Sequence, residues 1–61
     1  MGKFNHILTF QGREGFVALD LRDESAVLRV ARMVAEEAGC TVVVRDARLV
    51  AIETVPAPRK N

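Results

Sequence analysis

The sequence is poor in the features that announce a chemistry. Its 61 residues hold one cysteine, one histidine, no tryptophan and no tyrosine. A lone thiol, Cys40, cannot form an internal disulfide. With His6 as the sole imidazole, a Cys/His zinc cluster cannot be assembled either. No apolar run approaches the roughly 20 residues of a membrane span. The first residues lack the apolar core of a signal peptide. The chain begins Met-Gly, but His6 stands where N-myristoylation asks for Ser or Thr. A cytoplasmic location is the expectation, and it suits a free thiol. A dominant charge is missing too: nine Lys and Arg against eight Asp and Glu leave +1. A dedicated duplex-DNA binder draws much of its affinity from a basic excess, which this chain does not have.

These absences bear on stability. A chain of this length buries only about 60% of the surface its unfolded form exposes. Ordering costs about 1.5 kcal/mol per residue, which apolar burial in so small a core barely offsets. Disulfides and metal sites are excluded as supports. Self-association remains, unless the chain is one of the lean monomers that stand alone. A homo-oligomer, most simply a dimer, is therefore expected.

What is present divides into a hairpin, a helix and a second hairpin. In FNHILTFQGREGFVALDL, Phe4 to Leu21, the run Gly12-Arg13-Glu14-Gly15 reads as a turn. Placing Gln11 opposite Phe16 pairs Phe10 with Val17, Leu8 with Leu19 and His6 with Leu21 on one face. Ile7 and Thr9 then share the other face with Ala18 and Asp20. In DESAVLRVARMVAEEAG, Asp23 is a helix N-cap and Gly39 a C-terminal stop. Val27, Val30, Ala31, Val34 and Ala38 form an apolar stripe between them. In TVVVRDARLVAIETV, two runs of strand formers flank Arg45-Asp46-Ala47-Arg48. That break has no Gly or Asn to make a primed turn, so its register stays open.

The sum is an α+β domain over residues 1–55, ordered ββαββ: a four-stranded, mainly antiparallel sheet with one helix on one face. Residues 56–61, PAPRKN, are expected to form a disordered basic tail. One helix cannot cover both faces. Both runs of the second hairpin are apolar on either side, so the uncovered face should be greasy. Ile7, Ala18, Val43, Val50 and Ile52 are the residues expected at an oligomer interface there.

No catalytic residue, metal ligand or cofactor site follows from the residues. His6 could serve as a base at a subunit boundary, but spacing ties no nucleophile or carboxylate to it. Cys40 follows a helix C-terminus, whereas activated thiols favour N-termini. Small tautomerases use an N-terminal proline as base, and residue 2 here is Gly. Gly12 to Gly15 lacks the Lys-Ser/Thr ending of a phosphate loop. Arg45, Asp46 and Arg48 carry the strongest signal. Two arginines across a hairpin repel, so they call for Asp46 as a bridge or for an anionic ligand or partner. The leading expectation is a homo-oligomeric binding or regulatory module acting through its sheet face or this charged tip. A nucleic-acid binder using Arg45, Arg48 and the basic Arg59 and Lys60 is the second reading. An enzyme with a subunit-boundary site near His6 is the third.

Overall fold

A computed structural model describes residues 4–58. The elements are β1 (His6–Phe10), β2 (Phe16–Leu19), α1 (Glu24–Ala38), β3 (Val42–Asp46) and β4 (Ala51–Val55). All neighbouring strands are antiparallel, in the order β2-β1-β3-β4. The expected ββαββ architecture is the one observed. The two hairpins join through β1 and β3, so the N-terminal strand is central.

The helix is built as its sequence implies. Asp23 takes an extended conformation and its carboxylate accepts from the Ser25 N–H at 3.3 Å. Gly39 ends the helix at φ 68°, and its N–H donates to the Ala35 carbonyl at 2.7 Å. A side chain at that φ would be strained, which is why glycine stands there. The last turn carries no basic residue. Arg13, from the β1–β2 connection, supplies the missing charge, and its Nη1 donates to the Ala38 carbonyl at 3.1 Å.

α1 lies over β3 and β4. Val27, Ala31 and Ala35 meet Leu8, Val42, Val44 and Val55 to form the buried core. Alanines at the contact let the helix approach the valines closely. Phe10, Val17, Leu19 and Leu21 pack at its margin, only partly covered.

The first hairpin differs from its expected register by two residues. Phe16 pairs with Thr9 and Val17 with Leu8, instead of with Gln11 and Phe10. The connection spans residues 11–15, longer than a tight turn, and Gly12 and Gly15 within it both adopt positive φ. A shift of two preserves the face of every side chain, so the assignment of faces stands.

The second hairpin turns by an unusual route. Leu49 N–H donates to the Asp46 carbonyl at 2.9 Å, and Asp46 N–H donates to the Val50 carbonyl at 3.0 Å. This is a three-residue connection whose third residue takes the left-handed position usually held by glycine. Here it is Leu49, at φ 70°. The Asp46 carboxylate secures the turn, accepting from Arg48 N–H at 2.8 Å and Val50 N–H at 3.0 Å. A bulge follows: Val44 pairs with Glu53 but Arg45 with Ala51, leaving Ile52 without a direct partner. After β4, Ala57 N–H donates to Thr41 Oγ1 at 3.3 Å. Arg59 and Lys60, the charged part of the expected tail, lie outside the described residues.

This turn makes two opposite predictions. Asp46→Ala removes the acceptor of two backbone N–H groups and should cost about 1–2 kcal/mol. Leu49→Gly relieves the left-handed strain and should gain about 0.5–1 kcal/mol, net of unfolded-chain entropy. Urea midpoints at unchanged slope check both, and equal signs would refute this account of the turn.

Candidate functional site

Alternation along the strands decides what each face offers. His6 and Leu8 point to the helix side with Val42 and Val44. Ile7 and Thr9 point away, alongside Ala18, Phe16, Val43 and Arg45 on the paired strands. The result is an uncovered sheet face with Ile7 and Arg45 side by side near its middle. Phe16 and Leu49 are its most exposed apolar side chains, at 66% and 57%.

Arg45 lies across this face and does not project from the hairpin tip. Its Nε–H donates to Thr9 Oγ1 at 3.2 Å and its Nη1 donates to the Leu49 carbonyl at 3.0 Å. Both acceptors are neutral, so the guanidinium charge is held in place without being neutralised by them. Among the described residues, two of its five N–H donors are used, and three remain for a ligand. Ile7, Thr9, Phe16, Arg45 and Leu49 together line a groove of about 430 Å³.

The structure separates the residues expected to act together at the tip. Asp46 is the next residue in the strand and turns to the opposite side, where its carboxylate binds the turn backbone and does not bridge the two arginines. Arg48 is exposed within the turn. Of the five residues expected at an interface, Ile7, Ala18 and Val43 share the open face. Val50 lies past the bulge, opposite Asp46. Ile52 turns toward the helix side and lines a small recess with His6, Glu24, Val27, Leu28, Val44 and Glu53. Thr9, Phe16 and Leu49 were missing from the sequence-derived site. Thr9 and Phe16 could have been found from the alternation of β1 and β2, but Leu49 could not, because its placement depends on a left-handed residue the sequence does not advertise.

His6 is buried, 8% exposed, and its Nδ1 lies 2.8 Å from the Leu21 carbonyl. A carbonyl only accepts, so the proton is assigned to Nδ1. The recess beside the ring holds about 40 Å³, room for a few water molecules. Among the described residues, no group of three or more His, Cys, Asp or Glu side chains is arranged to hold a metal ion. Cys40 is half-buried at the helix exit. A second groove of about 490 Å³, between the first hairpin and α1, is lined by Phe10, Val30, Met33 and Val34 with Arg13, Glu14 and Glu37 at its rim.

The Thr9 hydroxyl fixes Arg45, which yields a test. Thr9→Val should leave stability within about 1 kcal/mol, while the Arg45 Nε–H loses its protection from solvent exchange. An unchanged Nε–H exchange rate by NMR would show that Thr9 does not position the guanidinium. In comparisons with known proteins, no family model, no curated protein and no solved structure matches the chain.

Proposed function

We propose that this protein is a small binding module whose working surface is the open face of its sheet. The observation that carries the reading is the placement of an unneutralised Arg45 between exposed Phe16 and Leu49. Exposed apolar surface of this kind marks an interaction site when it is contiguous. Leu49 adds weight: a non-glycine residue at φ 70° is retained where glycine would relieve strain, and such outliers gather at functional positions.

The homo-oligomeric form of the module is the second reading, favoured by Ile7, Ala18 and Val43 on that face. A second copy would cover it across a two-fold axis. Arg45 limits how tight that pairing can be. It lies on a central strand, so an axis that passes close to it brings two like charges together out of water. Self-association is accordingly weak.

Two measurements test the module. Nile red, an uncharged apolar dye, should bind wild-type protein saturably. Phe16→Ser combined with Leu49→Ser should weaken that binding at least about tenfold, or ~1.4 kcal/mol, with an unchanged circular dichroism spectrum. Unaltered dye binding in the double variant would move the working surface elsewhere. Light scattering in reductant, across a wide concentration range, should give an average mass rising above that of one chain, and the double variant should hold at one chain. A wild-type mass of one chain throughout would remove the homo-oligomer and leave the face to another occupant.

A further inference from the structure

We propose that the groove around Arg45 binds a carboxylate whose remaining body is a hydrocarbon chain. The proposal rests on the reading of the open face as the working surface, and it names the class of ligand.

The polar end of the ligand follows from the donors available. Arg45 is half-buried on an apolar surface, and both of its hydrogen bonds go to neutral oxygens. A partly desolvated cation gains most from an anion that returns charge-assisted hydrogen bonds. A carboxylate matches the planar fork of a guanidinium and can take two parallel bonds from it. Thr9 adds to the clamp. Its oxygen accepts from Arg45 Nε, which leaves the hydroxyl proton free to donate to the same carboxylate.

The apolar end follows from what the face does not offer. The groove is otherwise lined by Ile7, Phe16 and Leu49. Backbone N–H and C=O groups in a sheet lie in its plane, and those of the central β1 and β3 are spent on neighbouring strands on both sides. An extended peptide laid across the face would find no partners for its own backbone groups, at a cost for each one desolvated. A hydrocarbon chain has none to satisfy. The groove's roughly 430 Å³ falls within the span of small-molecule sites, about 300–1,000 Å³. It is shallow and open to solvent, so affinity is modest and depends on the charged end. Leu49 serves both ends: its side chain forms one wall, and its carbonyl holds Arg45 Nη1.

The test is an NMR titration of the full chain at concentrations where it is monomeric, with decanoate below its micellar range as the probe. Decanol and decyltrimethylammonium serve as the matched neutral and cationic chains. Decanoate should give saturable shifts at Ile7, Thr9, Phe16 and Leu49. Decanol should bind at least tenfold more weakly and the cation should not bind at this groove. Arg45→Gln should reduce decanoate to the level of decanol. The head-group comparison is made on wild-type protein, so it decides the matter even if Arg45→Gln fails to fold. Equal binding of decanoate and decanol, shifts clustered away from the groove, or tighter binding of a short apolar peptide with a free C-terminus would each overturn the proposal. If Nile red still binds the face while decanoate and decanol are indistinguishable, the ligand class is wrong and the working surface stands. If the dye also ignores the face, the surface itself is wrong.

Discussion

A single helix has to stabilise a sheet about twice its width. An α-helix with its side chains is about 10 Å across, whereas four strands spaced about 4.8 Å apart span roughly 19 Å. The helix backbone lies closest to β3 and β4, but the side chains it helps to bury belong mainly to the two central strands, His6 and Leu8 of β1 and Val42 and Val44 of β3, with only Val55 from β4. The core reflects this limit. It consists of Leu8, Val55 and two β3 valines against Val27, Ala31 and Ala35, with the first hairpin contributing mostly partly covered side chains. No element among the described residues covers the far side of the sheet. Each later feature follows from that geometry: the small residues on the helix, the half-covered Phe10 and Leu19, and an apolar open face with a cation near its centre.

Coverage is extended by contacts that tie the first hairpin to the rest. Arg13 reaches from the β1–β2 connection to the last helix carbonyl, opposite a turn that ends in Glu36 and Glu37. The macrodipole and two carboxylates would otherwise place like charges together at that end. His6 performs a similar service at the other end of the sheet, where its ring satisfies the Leu21 carbonyl as the chain leaves β2 for the helix. Read in one dimension, His6 was a possible base with no partner tied to it, and Arg13 was a charged residue in a glycine-flanked turn. In three dimensions they close the gap between hairpin and helix.

How much of this was legible depended on whether the deciding interaction was local. The helix and its caps were readable because Asp23, the apolar stripe and Gly39 act within a few residues of one another. The faces of the first hairpin were readable because side-chain parity survives a register shift of two, although the register itself was not. The second hairpin was opaque. Its turn depends on Asp46 bonding two backbone N–H groups, a habit of aspartate at turn starts, and on Leu49 accepting a left-handed conformation that no glycine or asparagine signals. The bulge at Ile52 then changes the phase of β4, which is why Val50 and Ile52 do not join Ile7, Ala18 and Val43. Arg45 stands apart from the two residues expected beside it. Once β3 runs through to Asp46, adjacent residues must point to opposite faces, and the apparent Arg-Asp-Arg cluster divides into a face residue, a turn clamp and an exposed tip.

That division ties the strained turn to the open face. A glycine at position 49 would relax the backbone, yet it would leave one wall of the groove open, since the Leu49 side chain is part of the lining. Its carbonyl orientation also matters, because the same left-handed residue presents the oxygen that holds Arg45 flat against the sheet. Released from that anchor, a long flexible cation would extend into water and lose its apolar surroundings. Asp46 completes the arrangement from the other side by fixing the turn that sets Leu49. Stability lost at one backbone angle is thus coupled to the position of a charge 4 residues away in the chain, and the open face acquires a defined cation where a merely uncovered sheet would offer only greasy surface.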